Sequence, residues 1–182
     1  MAETIRQLHQ EHRNMAKLLD LLEAQLTVYG DGGVADFDLI RDIMDYTTSW
    51  PERYHHPKEN LIFEKLKGKG GKAEALAVDL AGEHEKGEKL TRGMATVIAN
   101  VAQGAEIPRD LFERLAREYL DFNRRHMEKE EAQFLPLAEA VLSSEDWAAI
   151  EAALSAPEDP LFGPKVEERY RRLLESMLDA GS

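Results

Sequence analysis

The chain has no cysteine. That single absence excludes disulfides, zinc–thiolate sites, iron–sulfur clusters and thiol catalysis together, and it fits a reducing compartment such as the cytoplasm. Basic residues are outnumbered, 23 against 35 acidic, leaving a net charge of −12. A field of that sign disfavours nucleic acid and anionic membrane as partners and favours a cation. No apolar run approaches the ~18–20 residues of a membrane span. The opening "MAETIRQLHQEHRN" has charges from its third residue and does not read as a signal peptide. β-Branched residues are scarce, and no segment alternates with period two, so no sheet is expected.

What is present is helical periodicity. Four long segments, about 3–28, 37–67, 73–103 and 108–142, are separated by the glycine-rich stretches "YGDGGVAD", "GKGGK" and "GAEIP". They read as an all-α, up-down-up-down four-helix bundle over residues 1–142. Residues 143–182 read as a C-terminal helical extension packed on it. This extension comprises a short helix, "SSEDWAAIEAALSA", opened by a capping-box-like Ser143 and Asp146, then the loop "PEDPLFGP", then an amphipathic helix over 165–178.

The four long segments repeat weakly at an offset of 71–72 residues. "LHQEH" (8–12) matches "LAGEH" (80–84), and "HHPKENLIFEKL" (55–66) matches "HMEKEEAQFLPL" (126–137). Segments one and three thus carry Glu-His, and segments two and four carry His-x-x-Lys-Glu. Residues four apart on a helix lie about 40° apart in rotation and ~6 Å apart in rise. His55/Glu59 and His126/Glu130 therefore each turn two metal-ligating groups the same way. Phe63 and Leu66 continue the first of these faces, and Tyr119, Phe134 and Leu137 the second. His12 shares a stripe with Ile5, Leu8 and Leu19, and His84 with Leu80, Thr91, Ala95 and Ile98. One histidine on an apolar face is ordinarily a packed or half-exposed residue. Four helices showing the pattern at one level is a different matter: four imidazoles and two carboxylates converge on an apolar interior, where burying them without a cation is costly. Nitrogen and carboxylate donors, no sulfur, and two carboxylates able to bridge suit a dinuclear iron or manganese centre. The Glu-x-x-His of ferritin-like bundles is absent, since the order here is reversed and the spacing is four.

These motifs resemble the hemerythrin-like HHE cation-binding domain over roughly residues 3–142, and the "DPLFG" loop with the last helix resembles the C-terminal extension of many bacterial members. The resemblance implies a bundle holding two iron ions, with manganese or zinc as other occupants. The ligands it implies are His12, His55, Glu59, His84, His126 and Glu130, with Glu59 and Glu130 bridging. Two departures stand out. Oxygen carriers have His-x-x-x-His on the third helix, where this chain has Glu88, and His-x-x-x-x-Asp on the fourth, where it has His-x-x-x-Glu. The set is thus one imidazole short unless His56 substitutes; His56 reads equally as a ligand and as a residue outside the ligand set. His9 reads as peripheral. Pro57 should kink the second helix, there or near Trp50-Pro51, and free the Arg53 carbonyl to orient an imidazole.

The implied activity is binding of, or reaction with, O₂, NO or peroxide, as an enzyme or as a sensor without turnover. Glu88 in the place of an imidazole should favour oxidised iron over reversible O₂ carriage. Cluster-repair relatives carry a cysteine-bearing segment, which demotes that role here. The alternative is a cation-binding or zinc-stapled interaction module, serving iron sensing, storage or structure.

Overall fold

A computed structural model describes residues 2–154 and 157–180. Among them there is no strand, and no helix is long and apolar enough to cross a membrane. The first arm of the bundle is one helix, α1 (Glu3–Gly30). The second joins α2 (Phe37–Thr47) to α3 (His56–Lys67) through a π-helical turn at Pro51–His55. The third is α4 (Gly71–Ala102). The fourth joins α5 (Arg109–Lys129) to α6 (Leu135–Val141) through a second π-turn at Glu130–Phe134. The four arms form the up-down-up-down bundle expected, each touching the next and the fourth closing against the first.

The bend expected at Pro57 takes the form of the first π-turn. Pro57 has no N–H to offer Arg53, and the His56 N–H reaches back five residues to the Pro51 carbonyl instead. Pro136 repeats the device: it also stands two residues beyond its π-turn, where the Leu135 N–H reaches the Glu130 carbonyl. Each turn inserts one extra residue, and the helix face slips accordingly. This corrects the expectation for Leu137, which is only partly buried, whereas Ala138 is fully buried opposite Leu66.

Two apolar clusters fill the bundle on either side of a polar middle. One holds Leu18, Leu22, Ile40, Ile43, Phe112 and their neighbours. The other holds Leu8, Ile62, Phe63, Leu80, Phe134 and Ala138 among others. The C-terminal extension adds to both. Helix α7 (Ser144–Ala153) carries the expected capping box between Ser143 and Asp146 and buries Ile150 in the second cluster. The final two residues of the helix read from sequence, 155–156, lie outside the described residues, as do residues 1, 181 and 182. The "DPLFG" stretch folds around Asp159, whose carboxylate accepts from the backbone of Leu161 and Phe162 and from the Tyr46 hydroxyl at 2.8 Å. The last helix starts later than its periodicity suggested, as a 3₁₀ turn at Glu168–Tyr170 leading into α8 (Arg171–Ala180). The reason is that Glu167 is extended, its N–H bonded back to the Pro160 carbonyl. Tyr170 and Leu173 then seat in the first cluster.

Candidate metal centre

The polar middle lies at the level of the two His-x-x-x-Glu pairs. Glu59 and Glu130 have no measurable exposure, and His12, His55, His84 and His126 are all buried around them. On the inner side, each Nε2 faces carboxylate oxygens. His12 lies 3.5 Å from Glu59 Oε1 and 3.4 Å from Glu130 Oε2. His55 lies 3.4 Å from Glu59 Oε2, and His126 3.1 Å from Glu130 Oε1. His84 lies 3.3 Å from Glu59 Oε2 and 3.4 Å from Glu130 Oε1. The two oxygens of Glu130 are thus divided between His12 on one side and His84 with His126 on the other.

The outer side is different. The Nδ1–H of His55 donates to Glu11 at 2.8 Å, that of His126 to Glu83 at 2.8 Å, and that of His12 to Glu131 at 2.7 Å. His84 donates to the amide oxygen of Asn60 at 3.2 Å. Lys58 and Lys129 brace Glu11 and Glu83 at 2.5 and 2.7 Å. Four positions of the repeated motif therefore have a task. In "HHPKEN" and "HMEKEE" the histidine faces inward, the lysine holds the glutamate of the neighbouring Glu-His pair, the next glutamate enters the centre, and Asn60 or Glu131 backs the remaining imidazole. The repeat carries these backing residues, but spacing alone assigns them no role. The imidazoles are held by side chains, so the Arg53 carbonyl is not what orients them.

The spacing discriminates between hydrogen bonding and ligation. Outer contacts of 2.7–2.8 Å are charge-assisted hydrogen bonds. Inner contacts of 3.1–3.5 Å are long for that. They match the ~3–3.5 Å between neighbouring ligands of one ion whose bonds are ~2.0–2.2 Å. Of seven buried polar side-chain atoms with no hydrogen-bond partner among the described residues, five lie here: His12 Nε2, both Glu59 oxygens, His126 Nε2 and Glu130 Oε2. Such atoms are ordinarily satisfied, and a cation satisfies all five. Two groups emerge with ligand atoms within 4.8 Å of one another: His12, His55, Glu59 and Glu130 in one, and His56, His84 and His126 in the other. His56 joins through a stacked contact with His84, ring centroids 4.4 Å apart, while Glu52 faces its Nδ1 at 3.6 Å. His9 stays at the rim, bonded to Glu131 at 2.6 Å.

Glu88 departs from its expected place. The inward stripe of α4 runs Leu80, His84, Gly87, Thr91 and Met94, so the residue following His84 on that face is Gly87. A Cβ there would lie 3.0 Å from the Phe122 ring, which explains the glycine. Glu88 flanks the stripe, half-exposed, paired with Arg92, and belongs to neither group.

Protons fill the electrostatic need in the cation-free protein. Burial alone would depress His84, but hydrogen bonds and charge from Glu130 and Glu59 outweigh it and raise its pKa to about 9. His12 and His126 are raised in the same way. Glu59 and Glu130 are buried and repel each other, yet the surrounding imidazoles hold both well below the usual carboxylate range. His56 moves the other way: burial lowers it, which keeps it neutral and available as a donor to a cation.

Below and above this layer the bundle differs. Leu8, Phe63, Leu80 and Phe134 fill one side completely. On the other side a cavity of about 30 Å³ abuts His55, His56, His126 and Glu130 and is walled by Leu19, Thr47, Thr91 and Tyr119. No curated protein matches the chain. A family model described as the hemerythrin HHE cation binding domain matches residues 3–138, the span that carries all four arms and every residue of both groups, and the chain belongs to that family.

Proposed function

We propose that the protein is a non-haem di-iron protein that binds or reacts with O₂, NO or peroxide. In this reading His12, His55, Glu59 and Glu130 hold one ion, and His56, His84 and His126 hold the second with the facing oxygens of the same two carboxylates. Imidazoles and bridging carboxylates without sulfur suit iron, with manganese the nearest competitor. His56 makes good the imidazole that Glu88 does not supply. The cytoplasm, with its reducing poise, is the compartment that suits a cysteine-free chain of this kind.

One observation carries the reading from cation binding to small-molecule chemistry: the cavity of about 30 Å³ against both groups. It has room for a water-sized or diatomic molecule and for little else. When bound, an iron pair supplies a Lewis-acidic, redox-active position for such a molecule. The protein does the rest. Glu11, Glu83 and Glu131 accept the Nδ1 protons and so aim the Nε2 lone pairs inward. Lys58 and Lys129 keep two of those carboxylates in place. Leu8, Phe63, Leu80 and Phe134 close the far side to water.

Metal analysis of protein from iron-supplemented cells, followed by anaerobic reduction and separate exposure to O₂, NO and hydrogen peroxide, tests this. About two irons per chain and an optical change with at least one of the three is the expected result. A redox-silent zinc protein unresponsive to all three would overturn it and leave a metal-stapled module.

A further inference from the structure

The cavity wall holds a group that the motif does not explain. Two turns from the ligands, each arm contributes one residue to the next layer: Leu19 seven after His12, Thr91 seven after His84, Tyr119 seven before His126, and Thr47 eight before His55. The odd eight is the first π-turn, whose extra residue brings Thr47 round to the same face. The internal repeat pairs Leu19 with Thr91, and once the extra residue of the first π-turn is counted it pairs Thr47 with Tyr119, so a leucine in one half faces a hydroxyl in the other. The layer on the other side of the ligands is leucine and phenylalanine throughout. Only the cavity side is polar.

Tyr119 is 2 % exposed and lines the cavity together with Thr47 and Thr91. The threonine protons are already committed: Thr91 donates to the Gly87 carbonyl at 2.9 Å and Thr47 to the Met44 carbonyl at 3.2 Å. Their oxygens can accept from the phenol, so the phenolic proton is the one hydroxyl proton of this wall without a backbone acceptor among the described residues, and it can turn from a threonine oxygen to a guest. Burial raises the phenol's pKa, so the proton stays on.

Resting on the function proposed above, we infer that Tyr119 is the hydrogen-bond donor that receives the small ligand in this cavity, selecting molecules with a terminal lone pair and orienting them between the ligand groups and the Thr47–Thr91 wall. A purely packing role would place phenylalanine here, as Phe63 and Phe134 are placed on the opposite side.

Azide is the probe. It is small, carries terminal lone pairs and has an infrared stretch that responds to hydrogen bonding. With iron-loaded, oxidised full-length protein, Tyr119→Phe should weaken azide about fivefold in an optical titration, the scale of one neutral hydrogen bond. Iron content and melting temperature should stay unchanged. The azide band of the unmodified protein should shift between H₂O and D₂O, and that shift should vanish in Tyr119→Phe. Thr91→Val, which removes an acceptor and leaves the donor, should keep the isotope shift whatever it does to the affinity. Equal affinity and an equal isotope shift in Tyr119→Phe overturn the assignment while leaving the di-iron reading intact. Loss of the shift in Thr91→Val with retention in Tyr119→Phe overturns it in favour of the threonine. A protein that takes up no iron, or binds azide nowhere, brings down the di-iron reading and this inference with it. The isotope measurement on unmodified protein needs no variant, so a shift-free azide band there counts against Tyr119 even if Tyr119→Phe does not fold.

Discussion

The two groups face the same pair of carboxylates but are built to different standards. In the first, His12 and His55 are each backed by a full carboxylate, Glu131 at 2.7 Å and Glu11 at 2.8 Å. In the second, only His126 has that support, from Glu83. His84 leans on the neutral amide of Asn60, and His56 faces Glu52 at 3.6 Å from the edge of a groove between α3 and α4. A carboxylate behind an imidazole raises its basicity and fixes its ring. The difference implies a tight, closed first position and a looser second one beside the groove. A symmetric sequence motif has produced an asymmetric pair.

The strongest way to break this comparison is to remove what both groups share. Glu59→Ala or Glu130→Ala should reduce the metal content from two per chain toward one or none, measured by elemental analysis after desalting. Two ions retained in both variants would mean that neither carboxylate bridges. Next in size is removal of the cation itself. A native-state ligand at a thousandfold excess over Kd stabilises by ~4 kcal/mol, which for a domain of this length is about 10 °C in Tm. Calorimetry of chelated and reloaded protein checks this; coincident melts would place the cation outside the core.

The asymmetry itself can be exchanged. Glu131→Asn should weaken the first position about tenfold, and Asn60→Glu should strengthen the second by a similar factor. Stepwise chelator competition reads the two affinities separately, and the gap between them should narrow with either change. The smallest effect is one of pH. In the cation-free protein, His84 keeps its proton to about 9 against 6.5 for the free side chain, and His12 and His126 shift the same way. The stability His84 contributes is complete below about pH 6.5 and fades as pH rises through about 9, and that of His12 and His126 fades as pH rises through their own raised values. A cation needs neutral imidazoles, so its affinity climbs over the same interval. The Tm difference between loaded and cation-free protein should therefore widen by a few degrees from pH 6.5 to 9, and loading near pH 7 should release protons to a weak buffer. A constant gap would contradict the raised imidazoles.

The sequence is informative in proportion to its periodicity. Four arms and six inward-facing histidine and glutamate side chains follow from the repeat because helical geometry turns a spacing of four into a shared face. The backing shell was hidden because Glu11, Glu83, Glu131, Lys58 and Lys129 look like solvated charge, and only contacts between arms show otherwise. Leu137 and Glu88 were misplaced for related reasons. A π-turn adds a residue that no spacing rule counts, and the α4 stripe steps by three after His84, which puts Gly87 inward and leaves Glu88 for Arg92. Both prolines announce their π-turns, yet a proline alone does not say on which side the extra residue will fall. The asymmetry of the two groups rests on one letter, Asn60 against Glu131, and only the distances give it weight.

The outer hydrogen bonds also set an order of assembly. Glu11 to His55 and Glu83 to His126 span 44 and 43 residues, each within one half of the chain, and Asn60 to His84 spans 24. His12 to Glu131, spanning 119 residues, is the one among these that ties the first arm to the fourth, beside the rim bonds His9–Glu131 and Arg124–Asp20. Closing a loop of that length costs about 1.4 kcal/mol more than closing the shortest of them. The two halves are thus poised to form as separate hairpins, join across Asn60 and His84, and accept α1 into the last open side. Glu131 is then the latch on a folding pathway as well as a support for an imidazole, and its loss should speed unfolding more than it slows refolding, in addition to its effect on metal affinity.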